Sequence, residues 1–353
     1  MAGQRSYPVI RAGLETLYFT GAHALLKPIF GGVGVILTLH HVRPPRLDAF
    51  QPNRMLEIEP AFLEAVIQTL RRSRVDLVSL DEMHRRLTEH DFRRRFVCFT
   101  FDDGYRDNRT WAYPILKRYE VPFGIYLPTS FPDRLGELWW IALERVIAST
   151  AQIGLVMDGK DRWFDCRTLE SKRDAFAYVY WWLRGLPSEE EVRSVVRDLA
   201  RRYEVDIAAI CEELCMTWDE IAELAADPLV TIGAHTVNHV MLQKVPESVV
   251  RSEMQMGSVV IEAALGIKPM HFAYPVGDRA TAGTREFGIA AEVGFKTAVT
   301  TRPGVLFASH RGHLHALPRI SLNGEYQQLR YAQVLMSGAA TALWNGFRRV
   351  DAA

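Results

Sequence analysis

Cysteine is scarce in this chain: four in 353 residues, Cys98, Cys166, Cys211 and Cys215, at scattered positions. That is not the dense framework of a small secreted disulfide scaffold, and it predicts a fold standing on its own core in a reducing compartment. An excess of charge is missing too. Lys plus Arg and Asp plus Glu number 42 each, so the formal net charge is zero. This argues against nucleic acid as a partner recruited by bulk electrostatics. No clean membrane-spanning run is present: residues 21–39 are mostly apolar, but Lys27, Pro28 and the glycines at 31, 32 and 34 interrupt them. The pattern predicts a helix ending near Phe30 and then a strand at 35–39. Residues 1–11 lead into no apolar stretch with a small-residue cleavage site, so the chain reads as cytoplasmic. Internal repeats and low-complexity segments are absent as well.

What is there is ordinary globular material, 48% hydrophobic and 24% charged, in a chain long enough for a large core. Apolar strand-like runs occur at 35–39, 75–80, 96–101, 123–127, 229–234, 271–274, 295–300 and 317–322. Between them lie helical patterns, such as Phe62, Ala65, Val66 and Leu70 after Pro60, and a capping box from Thr217 to Glu220 opening a helix stopped at Asp227 and Pro228. Strand and helix alternating this often predict an α/β fold on a mostly parallel sheet, open or closed into a barrel, with its chemistry at the C-terminal ends of the strands. Between 131 and 216 the strand signal lapses and amphipathic helices dominate, the clearest at 188–203 with Val192, Val195, Val196, Leu199 and Tyr203 on one face. We expect an N-terminal helical extension over 1–30, a barrel over 31–330 with a helical insertion at about 131–216, and a C-terminal helix over 331–353.

Two strand ends carry chemistry. Asp102 and Asp103 follow the apolar run at 96–101 and precede Gly104. Adjacent carboxylates there need a cation or strong donors if buried, and their opposite directions let one hold a metal while the other handles a proton. An Asp-Asp-Gly turn with one helix cap is the plainer alternative. After the run at 229–234 come His235 and His239, spaced to reach one metal from one helical turn. Asp103, His235 and His239 together would make a two-histidine, one-carboxylate set with open positions, suited to zinc or another borderline divalent ion.

At this point three blocks, FTFDDGYRDN at 99–108, HTVNH at 235–239 and FAYPVGD at 272–278, resemble in order and spacing the signature blocks of NodB-type polysaccharide deacetylases, carbohydrate esterase family four. LHHV at 39–42 and LPRI at 317–320 resemble blocks near the two ends of that family's domain. The resemblance implies a distorted (β/α) barrel of about seven parallel strands, and metal-dependent hydrolysis of N-acetyl groups from amino-sugar oligomers or polymers. It implies Asp103, His235 and His239 as metal ligands, Asp102 as general base, and the backbone N–H at Val276 as oxyanion donor. The ion expected is divalent, Zn2+ first, with Co2+, Ni2+ or Mn2+ as alternatives.

Two positions depart from the family pattern. Many members place an arginine in the third block to brace the base, where this chain has Ala273; Arg319 is the candidate substitute. The late histidine that supplies the general acid is not recognisable. His313 and His315 precede a strand and so fall at the wrong end, whereas His40 follows one, with His41 as its alternate. Trp139 and Trp140 offer faces for a sugar ring, although packing is the commoner use of such residues. The expected partner is an N-acetylated glycan. The apolar terminal stretches leave open a peripheral membrane contact and a deacylase or deformylase acting on a lipid-linked sugar. A glycan-binding protein on the same fold is the alternative outside catalysis.

Overall fold

The computed structural model describes residues 7–352. Seven strands run parallel: β1 (Gly34–Leu39), β2 (Phe96–Phe101), β3 (Phe123–Leu127), β4 (Val230–Ala234), β5 (His271–Ala273), β6 (Thr297–Pro303) and β7 (Leu317–Ser321). They are neighbours in chain order, and β1 closes the ring by pairing with both β2 and β7, Leu37 standing between Phe99 and Ile320. This is the expected α/β barrel of about seven parallel strands. The run at 75–80 departs from expectation. Only Asp76–Leu77 pairs, against the start of β2, because Ser79 caps a helix starting at Leu80 by accepting from the Glu82 N–H.

The period-2 alternation of the strands sorts side chains into two cores. Val97, Phe99 and Phe101 of β2 face the surrounding helices with Val35, Leu37 and Leu39 of β1. Phe96 and Cys98 face the barrel interior with Ile36, Tyr126 and Leu317. Both faces are buried, so these strands read as continuous apolar runs. Gly233 is required here: a side-chain Cβ at that position would sit 2.5 Å from the Tyr126 ring, which fills the interior. By the same parity Asp102, two residues beyond Thr100, and Arg319, two beyond Leu317, point inward.

The segment at 131–216 is not wholly helical. Its helices (Trp139–Ser149, Leu169–Gly185, Glu189–Arg202 and Ile207–Leu214) are joined by a β-hairpin, Gln152–Met157 against Lys160–Asp165. The turn is Asp158-Gly159 with φ of 52° and 74°, the left-handed pair that a tight hairpin needs and a signal the sequence did offer. The segment has its own apolar cluster, built around Leu143, Phe176, Val179 and Leu199, which also takes in Tyr105 and Met241 from the barrel mouth. Two helices, Tyr7–Phe19 and Ala22–Phe30, precede the barrel. At the other end, two short helices, Leu329–Met336 and Ala339–Trp344, stand where one was expected, broken at Gly338 (φ 78°). Its α-carbon lies so close to the Phe30 carbonyl that no side chain fits. Among the described residues no helix is long and apolar enough to cross a membrane.

Candidate metal centre

β2 delivers the two aspartates to the mouth of the barrel. The Asp102 N–H donates to the Leu39 carbonyl at 3.0 Å, continuing the ladder with β1 for one more step. Asp103 and Gly104 then turn the chain at φ of 70° and 64°. Asp102 meets Arg319 in a bidentate pair, 2.8 Å to Oδ1 and 2.6 Å to Oδ2. Arg319 also donates to the Thr300 carbonyl at 2.8 Å and to Thr100 Oγ1 at 3.2 Å. Only 1% of Arg319 is exposed, so this is an internal pair and not a surface ion pair on an edge strand. Burial opposes the charge on Asp102, but Arg319 outweighs it and holds the carboxyl below its ordinary value.

β4 delivers the histidines. His235 Nδ1 lies 2.6 Å from the Ala273 carbonyl. A carbonyl can only accept, so Nδ1 carries the proton and the Nε2 lone pair is left facing Asp103. His239 is brought back by a loop in which Thr236 and His239 both adopt positive φ, 68° and 55°, and Thr236 Oγ1 accepts from the His239 N–H. Val276 has φ 60°. Four of the eleven non-glycine residues with positive φ among those described therefore lie in this site, including both β-branched ones. Such conformations cost roughly 1–3 kcal/mol each and persist where the surroundings impose them.

Asp103 Oδ1 lies 3.5 Å from His235 Nε2 and 3.3 Å from His239 Nε2. All three side chains are buried, their ligand atoms lie within 4.8 Å of one another, and Asp103 Oδ1 has no hydrogen-bond donor. Tetrahedral zinc with bonds of ~2.0–2.2 Å would set its ligand atoms about 3.3 Å apart. The donor set and the orphaned carboxylate oxygen therefore fit a divalent ion.

The other residues singled out from the sequence separate. His40 Nε2 is 3.9 Å from Asp102 Oδ2, and burial lowers its pKa. His41 turns away: its Nδ1 pairs with Asp107 at 2.6 Å, and its ring stacks on Tyr105. His315 binds the Phe295 carbonyl before β7, at the far end. The Val276 carbonyl accepts from Thr301 Oγ1, while its N–H makes no hydrogen bond among the described residues. Trp139 and Trp140 are buried, and Trp140 packs on the His239 ring with centroids 4.9 Å apart. They serve packing. Three supporting residues escaped the sequence reading. Glu253, on helix Glu247–Leu265, accepts from the Val237 and Asn238 N–H groups at 2.9 Å each and from Asn238 Nδ2 at 2.7 Å. Arg193 of the insertion donates to the Asn238 carbonyl at 2.6 Å. Asp107 was visible inside the first block, yet nothing there revealed that it holds the 40–42 segment.

Residues 191–298 match the family model described as polysaccharide deacetylase. The match takes in the histidine loop and the 272–278 block; the aspartate pair lies outside it, beyond most of the insertion. No curated protein sequence matches the chain. Among solved structures, the fold is shared with the Streptococcus pyogenes deacetylase PplD in complex with acetate, at a TM-score of 0.57 and 18% identity over 85% of this chain and 97% of that one. IcaB from Ammonifex degensii has a TM-score of 0.52 at 18% identity over 86% and 96% of the two chains. A de-N-acetylase from Aggregatibacter actinomycetemcomitans has 0.53 at 14% over 85% and 99%. At these identities the likeness is one of fold. The family read from the motif blocks is thus met by the family model over part of the chain and by the fold over more than four-fifths of it.

Proposed function

We propose that this chain, with the fold of polysaccharide deacetylases and their signature blocks, is a metal-dependent N-deacetylase of an N-acetylated amino-sugar oligosaccharide or glycan precursor. The observation that carries the reading is the convergence of Asp103, His235 and His239 beside a carboxylate, Asp102, that a buried arginine keeps ionised. A divalent ion held by those three residues would polarise the amide carbonyl and acidify a water beside it. Zinc is the first assignment, because two imidazoles and one carboxylate suit it and leave a position open.

Asp102 takes the proton from the attacking water, and Arg319 fixes the carboxylate in one orientation and in its charged form. The Val276 N–H, in a strained turn and without another acceptor, is the donor assigned to the developing oxyanion. His40, kept neutral by burial and 3.9 Å from Asp102, completes the path of that proton to the leaving nitrogen. The C–N bond then breaks to acetate and a free amine. Purified protein is expected to hold one divalent ion per chain and to release acetate from N-acetylated glucosamine oligomers. Acetate release undiminished by Asp103→Ala would overturn the proposal.

A further inference from the structure

Helices Ala22–Phe30 and Ala339–Trp344 lie together at the end of the barrel where the strands begin. Arg95, immediately before β2, donates to the Gly31 and Met336 carbonyls that end this pair's neighbourhood, and the Phe30 and Phe347 rings meet with centroids 5.7 Å apart. Helix Ala22–Phe30 buries none of its residues. It exposes Leu25 (77%) and Ile29 (55%) one turn apart, and beside it Leu343, Trp344 and Phe347 are each more than half exposed. Five of the nineteen large exposed hydrophobics among the described residues, Leu25, Ile29, Leu343, Trp344 and Phe347, fall in 22–31 and 339–350, so the concentration is local. Neither 22–31 nor 339–350 contains an aspartate or glutamate. Their Lys, Arg complement is Lys27, Arg348 and Arg349, all exposed and without an acidic partner among the described residues.

In a chain of zero net charge, these two segments are apolar and carry cationic charge only, while Asp351 beyond them is engaged by Arg279 and Arg302. We propose that this surface docks peripherally on an anionic lipid bilayer. Leucine, isoleucine and aromatic side chains enter the boundary between headgroups and acyl chains, and the three cations meet lipid phosphates. A second copy of the chain would instead set like charges against each other. The metal centre lies at the opposite ends of the strands, so docking leaves the barrel mouth uncovered. The inference does not depend on the deacetylase reading.

Flotation of the full chain with vesicles tests it. The chain is expected to float with phosphatidylcholine vesicles containing phosphatidylglycerol and not with phosphatidylcholine alone. Binding should weaken about fivefold for each charge removed, as in Lys27→Gln, and should be lost in Leu25→Ser combined with Trp344→Ser. Lys27 is a surface side chain, so its substitution reports on binding even where the double variant folds poorly. Flotation with neither vesicle, equal flotation with both, or insensitivity to Lys27→Gln would overturn the proposal. So would a lipid-free dimer abolished by Phe347→Ser.

Discussion

The proposed reaction requires Asp102 to remain ionised where water is nearly excluded, and its neighbours decide whether it does. Without Arg319, burial alone would favour the protonated acid. The two effects on its pKa oppose each other, and the arginine prevails. Asp102 should therefore stay ionised over the whole pH range in which His235 and His239 are free of protons to hold a metal. In Arg319→Met the opposing effect is removed, and the acid limb of the kcat/KM profile should move to higher pH, with a loss of about a hundredfold or more. An unmoved limb would show that the arginine does not set the charge of Asp102. Breaking a buried pair also costs about 3–5 kcal/mol of stability, so Arg319→Lys, which keeps the charge, is the control. It should retain most of the low-pH activity.

At the scale of elements, the centre is a set of loops braced from behind. Glu253 takes three hydrogen bonds from the 237–238 turn, and Arg193 takes the carbonyl of the same turn. Replacing Glu253 with alanine leaves two N–H groups and an amide searching for partners, at roughly 1–3 kcal/mol each where they stay buried. If the proposed centre is correct, the variant should bind zinc about 10–100-fold more weakly than the unaltered chain, as measured by competition with a chelator. Unchanged affinity would mean that the turn is rigid without it. The sequence disclosed the elements better than the braces. Continuous apolar runs revealed the barrel strands because both faces are buried, and the Thr217 box appeared where expected, with both reciprocal bonds formed. Asp102, Asp103, His235 and His239 were marked by their place after strands. Glu253 and Arg193 were hidden because each reads as one more charged residue on an amphipathic helix. Only the tertiary contact, 15 residues away for Glu253 and 45 for Arg193, gives them a partner. The hairpin at 152–165 was missed for a different reason: its second strand, Lys160–Asp165, is mostly exposed and polar, so no alternation announces it.

For the whole molecule, closure is the determining event. β1 is paired on one side by the next strand of the chain and on the other by the last, Leu37 with Ile320. A chain ended after Ala316 would leave the open edges of β1 and β6 exposed and Asp102 without its arginine. It should show no cooperative thermal transition and no acetate release. A cooperative transition from that fragment would mean that the remaining six strands close by themselves.

The strand that seals the ring also carries Arg319, so completion of the fold and charging of Asp102, the proposed general base, are one step. During synthesis, the aspartates leave the ribosome more than two hundred residues ahead of the arginine that makes Asp102 usable. Under the proposed mechanism a partly made or partly opened barrel is therefore a silent one, and activity in such a molecule would act as its own certificate of assembly.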